Sequence, residues 1–173
     1  MNKIIMRREI GKDYNTYEDY INHQKVKTTD PRRRELWLGK EWHMKIDIFK
    51  NVFNYYKKKE ILKENMKCLC FGARTGQEVV ALNKIGMEAI GIDIVPQEPY
   101  VIKGDIHDAP FNDNIFDFVF TNIVDHSINP EKFMSEIERV LKSGGYALIQ
   151  LQLNCKSDEY AENDIYNSQS IIN

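Results

Sequence analysis

Apolar and polar positions follow two rhythms along this chain of 173 residues. Through residue 64 the apolar side chains recur at helical spacing. Tyr17, Tyr20 and Ile21 predict one helix, and Asp30-Pro31 breaks it. Leu36, Trp37, Trp42, Met44, Ile46, Ile48, Phe49, Val52, Phe53 and Tyr56 then predict a long second helical stretch. From residue 68 the rhythm changes to short, nearly continuous apolar runs: Cys68 to Phe71, Ala89 to Ile92, Tyr100 to Lys103, Phe116 to Thr121 and Tyr146 to Leu153. Runs without polar alternation are what strands buried on both faces require. Between them lie two helical stripes. Val79, Val80, Leu82 and Ile85 predict a helix starting near Thr75, a residue suited to capping it, and stopped by Gly86. Phe133, Ile137, Val140 and Leu141 predict another, opened by Pro130 and ended by Ser143-Gly144-Gly145. Strands alternating with helices predict a parallel, doubly wound α/β sheet. Residues 1–64 read as a helical N-terminal extension whose first 12 residues are poorly ordered, 65–153 as the core, and 154–173 as a polar tail.

The most informative stretch is CLCFGARTGQEVVALNKIGMEAIGID, residues 68–93. It reads as strand, glycine-bearing turn, helix, second strand and acid. Such a unit brings two strand ends together, so the N–H groups of the Gly72–Gly76 turn and the Asp93 carboxylate can face one ligand. The turn is G-x-x-x-G rather than G-x-G-x-x-G, which argues against a dinucleotide-dependent oxidoreductase.

Composition narrows the class. No run of 18 apolar residues appears, so a membrane span is not expected, and the polar continuation of MNKIIMRREIGKDY is unlike a secretory leader. The cysteines Cys68, Cys70 and Cys155 are too few and too poorly spaced for a zinc site; no metal is expected, and the setting is read as reducing and cytoplasmic. Formal charge is −2 overall but uneven, with net +7 in residues 1–67 and −9 in residues 68–173. The clusters Arg32–Arg34 and Lys57–Lys59 carry that excess, as a solvated face or as a surface for an acidic partner such as RNA.

The ordered segments CLCFGARTGQE, GIDIV, KGDIHDAPF, FDFVFTNIVDH and NPEKFMSEIERVLKSGG resemble the class I S-adenosylmethionine-dependent methyltransferases over residues 60–153. The GARTG turn with the tail SDEYAENDIY also resembles a group of plant methyltransferase-like proteins. The resemblance implies a Rossmann-like fold and S-adenosylmethionine as cofactor. It implies that Gly72, Ala73, Arg74, Thr75 and Gly76 approach the methionine and ribose, that Asp93 with Ile94 holds the ribose hydroxyls, and that Asp105 and Ile106 meet the adenine. Asn122 borders the methionine part and the acceptor, and His126, preceded by Asp125, is the candidate base beside it. Two positions depart from the family pattern. Cys70 stands where an acid usually ends the first strand and helps hold the cofactor's amino group, and Arg74 stands where glycine is usual, so the backbone there is expected to avoid a glycine-only conformation. Arg74 could pair instead with the cofactor's carboxylate.

Only 20 residues follow Leu153, whereas the family's further helix and its sixth and seventh strands need about 40. A C-terminally shortened sheet is therefore expected, whether the sequence is a piece of a longer one, a naturally shortened member, or a chain whose open edge a second copy or another partner covers. TNIVDH lacks both the Asn/Asp-Pro-Pro-aromatic sequence of adenine amino-methylating enzymes and a Pro-Cys nucleophile, which leaves an oxygen or nitrogen acceptor on a small molecule, protein or RNA. The alternatives are an RNA-directed enzyme and a module that binds cofactor or partner without turnover.

Overall fold

In the computed structural model, which describes residues 14–151 and 160–163, five parallel strands lie in the order β3-β2-β1-β4-β5. They are β1 (Lys67–Phe71), β2 (Glu88–Asp93), β3 (Val101–Lys103), β4 (Phe116–Thr121) and β5 (Leu141–Ile149). Among the described residues β5 has no neighbour on its outer side. The readings made for residues 1–12, Leu153, Cys155 and most of the tail lie outside the described residues.

Cys68, Leu69, Cys70 and Phe71 are all fully buried, so β1 needs cover on both faces. Successive side chains alternate across a strand, which divides the core in two. Cys68 and Cys70 join Phe118 and Phe120 beneath helices α3 (Trp42–Lys58) and α4 (Gln77–Lys84). Leu69 and Phe71 join Ile92 and Val119 beneath Phe133, Ile137 and Val140 of α5 (Pro130–Val140). On the α3 face the Phe53 ring stands perpendicular to that of Phe120, with centroids 5.1 Å apart, and stacks along Phe49 at 6.1 Å.

The N-terminal extension is three-part. Helix α1 (Tyr17–Thr29) begins with a capping box between Thr16 and Asp19. Asp30 ends it, and the Asp30 carboxylate then accepts from the N–H groups of Arg32 and Arg33 to open α2 (Pro31–Leu38), with Pro31 in the first turn, where its missing N–H costs no bond. The long apolar pattern expected from Leu36 onward is split at Gly39. Its N–H closes on the Glu35 carbonyl at 2.9 Å, and a Cβ there would lie 2.8 Å from that oxygen.

Three local expectations are corrected. Thr75 does not cap α4: the N-cap is Gly76 at φ +88°, and the buried Thr75 hydroxyl donates instead to Gln77 Oε1 at 2.6 Å. Arg74 does adopt a left-handed conformation, φ +49°, stabilised by its N–H donating to Asp93 Oδ2 at 2.9 Å. Ser143-Gly144-Gly145 does not end α5. The helix stops at Val140, Leu141 already pairs with Phe116, and these residues form a bulge before Phe118 pairs with Tyr146.

Phe53 is fully buried among three other rings, so Phe53→Ala should cost about 3–5 kcal/mol of unfolding free energy. Urea unfolding followed by far-UV circular dichroism measures it, with the midpoint shifted and the slope retained.

Candidate functional site

The chain moves outward from β1 to β2 and β3, then returns to place β4 on the other side of β1. Connections therefore leave in opposite directions where β1 and β4 end, and a crevice opens there. Gly72 follows β1 at φ +65°, and a Cβ on it would fall 2.3 Å from Ile123 Cδ1, on the segment after β4. Glycine is needed because the two strand exits touch.

A cavity at this point is lined by Gly72, Arg74, Asp93, Ile94, Asp105, Ile106, Asn122 and His126 of the residues anticipated from sequence. Ala73, Thr75 and Gly76 are fully or nearly fully buried and do not line it. Ala73 packs behind the turn: a Cβ on Gly91 of β2 would approach the Ala73 Cβ to 2.5 Å. The cavity's other wall comes largely from the N-terminal extension, none of whose residues was singled out from sequence as a site residue. Tyr20, Ile21, Gln24, Lys27 and Thr28 of α1, Phe49 of α3 and Glu78 of α4 complete it. Nothing in a sparse amphipathic pattern reveals which sheet edge a helix will cross, so these could not be read in advance.

Asp93 ends β2 and is held by two backbone donors, Arg74 N to Oδ2 and Val95 N to Oδ1, each at 2.9 Å. Burial raises its carboxyl above the usual range, although those N–H groups and the Arg74 and Arg34 charges oppose the rise. Each oxygen keeps a lone pair for a further donor. Arg74 is fixed by the turn and by its guanidinium lying over the Trp37 ring, 4.1 Å from the centroid. Gln77 supports that ring by donating to the Trp37 carbonyl at 3.1 Å. Burial lowers the Arg74 pKa, with the Glu78, Asp93 and Glu41 charges opposing.

Asp105 belongs to a hydrogen-bonded chain that sequence reasoning missed. The Tyr17 hydroxyl donates toward both carboxylate oxygens, at 2.9 and 2.7 Å, and the His107 N–H donates to Oδ1 at 2.8 Å. The His107 ring carries the line onward: Nδ1 lies 3.2 Å from Asp105 Oδ1, and Nε2 lies 2.7 Å from the fully buried Ser127 hydroxyl. Burial alone would raise the Asp105 carboxyl, but the His107 and Tyr17 donors hold it below the ordinary value. This chain fastens α1 to the loop after β3.

His126 sits in the short helical turn Val124–His126, beyond the exposed Asn122. Its Nδ1 is 2.8 Å from the Tyr160 carbonyl, and a carbonyl can only accept, so Nδ1 bears a hydrogen and in the neutral ring Nε2 is the acceptor. Lys27 Nζ lies 3.5 Å from Nε2. Residues Tyr160–Asn163 are buried here, with the Glu162 and Asn163 N–H groups donating to the Asp125 carbonyl at 2.7 and 2.9 Å. Within the basic cluster, Arg34 donates to Thr28 O and Gln97 Oε1, and Arg33 lies over the Tyr160 ring. Among the described residues no helix is long and apolar enough to cross a membrane, and no group of three His, Cys, Asp or Glu residues could hold a metal ion.

Residues 69–149 match the family described as methyltransferase domain. The chain is 36% identical over 98 residues to the uncharacterized methyltransferase sll0829 of Synechocystis sp., covering 48% of this chain and 45% of that protein. It is 26% identical over 120 residues to the sterol 4-C-methyltransferase strm-1 of Caenorhabditis elegans, covering 60% and 36%. The matched stretches are thus less than half the length of either relative. YcgJ from Bacillus subtilis superposes with a TM-score of 0.57 at 18% identity, over 73% of this chain and 64% of that one, a likeness of fold.

Glu78 gives the cavity a measurable property. Burial, with a contribution from Asp93, raises its carboxyl to about 7. Between the unfolded carboxylate value and 7 the unfolded chain binds fewer protons than the folded one, so this group's contribution makes stability fall as pH rises and level off above 7. Glu78→Gln removes that loss. Its melting temperature should match the wild type near about pH 4 and exceed it by a few degrees near about pH 8, read by calorimetric scans across pH.

Proposed function

We propose that this chain, whose residues 69–149 match the methyltransferase domain family, is a class I methyltransferase that binds S-adenosylmethionine in the cavity at the ends of β1, β2 and β4 and transfers its methyl group to an oxygen or nitrogen acceptor. The observation that carries the reading is the gathering of Gly72, Asp93, Ile94, Asp105, Ile106 and Asn122 around one cavity at the strand-order switch. Bound there, the cofactor supplies a methyl group activated by a sulfonium.

The chain's own part is positioning and proton handling. The Asp93 oxygens, each with one backbone donor, accept from the two ribose hydroxyls. Asp105 accepts from the adenine amino group, and Ile106 packs on the ring. Arg74 faces the carboxylate of the methionine end. Asn122 and His126 border the acceptor, and His126 Nε2 takes the proton of an acceptor that must lose one as its bond to carbon forms. Helix α1 closes this side with Tyr20, Gln24 and Lys27, limiting water.

One observation favours a second reading, a module that binds the cofactor without turnover. Cys70 is fully buried, and burial raises its thiol well above the ordinary value, so the end of β1 offers no negative charge near neutrality.

Titration calorimetry with S-adenosylmethionine and S-adenosylhomocysteine tests the proposal. Both should bind, and Asp93→Ala should weaken S-adenosylhomocysteine at least tenfold, about 1.4 kcal/mol. Binding of NAD with no heat from either adenosyl compound overturns the reading, and unchanged affinity removes Asp93 from the site.

A further inference from the structure

Glu78 is the least explained side chain of the cavity. It lies in the first turn of α4, is 5% exposed and lines the cavity with Asp93 and Arg74. Its own backbone N–H faces the carboxylate, and among the described residues no lysine or arginine forms an ion pair with it. The cation acting on it is Arg74, whose guanidinium is spread over the Trp37 ring and shared electrostatically with Asp93 and Glu41. The cavity is thus lined by the buried carboxylates of Glu78 and Asp93 and by Asp105, with Arg74 and Lys27 as cations, and of these two Arg74 is the one that acts on Glu78. A buried carboxylate in that position is destabilising unless a cation joins it.

Position identifies the cation. Glu78 lines the cavity together with Gly72, the residue that follows the carboxyl end of β1, and its charge acts on the Cys70 thiol of that strand end, which carries no acid of its own. Asp93, at the end of neighbouring β2, takes hydroxyl donors. A ligand that suits both is a nucleoside with ribose hydroxyls on one side and an ammonium on the other. NAD carries no ammonium and leaves Glu78 unanswered.

Resting on the cofactor reading above, we propose that Glu78 binds the α-ammonium group of the amino-acid end of S-adenosylmethionine. The acid has moved from the end of the first strand to the first turn of the following helix. With Arg74 facing the carboxylate, the turn then presents one charge of each sign to a zwitterion. The helix N-terminus favours the anionic form of Glu78, and an arriving ammonium favours it further.

The test compares two ligands on the full 173-residue chain. S-adenosylhomocysteine carries the amino-acid end and 5′-methylthioadenosine lacks it. Calorimetry on Glu78→Gln should show S-adenosylhomocysteine weakened at least tenfold and methylthioadenosine within twofold of wild type. Glu78→Asp, which keeps the charge, should fall between wild type and Glu78→Gln. Equal losses for both ligands, or no loss for S-adenosylhomocysteine, overturn the assignment. The wild-type protein supplies an arm that needs no variant. Its affinity for S-adenosylhomocysteine should tighten between about pH 6 and pH 8 while methylthioadenosine stays flat, and parallel pH profiles count against Glu78. Failure of the wild type to bind either nucleoside removes the cofactor reading itself and the assignment with it.

Discussion

Cys68, Leu69, Cys70 and Phe71 have no exposed face, and the architecture follows from covering them. One side of β1 is closed by α3 and α4 and the other by α5, while β2 and β4 take its two edges. The chain leaves β1 toward β2 and β3 on one side and returns to β4 and β5 on the other, so the winding direction changes at β1, and the crevice at its carboxyl end is the place a parallel sheet leaves open for a ligand. The contact of Gly72 with Ile123 expresses this in a single atom. The two strand exits approach so closely that no Cβ fits between them.

The site's electrostatics follow from the same crowding. Asp93, Glu78 and Arg74 are withdrawn from water by the strand ends below and by α1 and α3 beside them, so each titrates away from its ordinary range. Within the protein the guanidinium is shared rather than paired, with Trp37 as its other support. Asp105 differs because Tyr17 and His107 give it donors, and it lies below the ordinary range despite partial burial. Carboxyls near neighbouring strand ends thus have opposite shifts, decided by the deeper burial of Asp93 and by the His107 and Tyr17 donors that Asp105 receives.

Helix α1 links the N-terminal extension to chemistry. Its own pattern is weakly amphipathic, with only Tyr20 and Thr28 buried. It is held by specific polar contacts: Tyr17 to Asp105, Tyr20 to the His126 carbonyl, and Gln24 to Tyr160 and Glu162. The segment Tyr160–Asn163 packs against both α1 and His126, so parts of the chain more than a hundred residues apart fix one imidazole.

The order of elements was legible from residues alone, because apolar runs such as Phe116–Thr121 and the stripe Phe133, Ile137, Val140 report burial at fixed periods. Gly72 and Asp93 could be picked out because they stand at strand ends, Asp105 and Asn122 followed from the family resemblance, and the topology brings all four to one cavity. Element boundaries that depend on tertiary pairing were not legible. Leu141 leaves the helix because Phe116 offers it a ladder position, and Arg74 accepts a left-handed backbone because Asp93 receives its N–H. The roles of Glu78, Trp37 and Tyr17 were also hidden, since a glutamate in a helix's first turn reads as an ordinary dipole partner. Periodicity records how often a chain turns toward an interior, and so the sequence by itself determined the layers and their order. Which charges meet there depends on distances between residues far apart in the chain, and only the folded structure decided those.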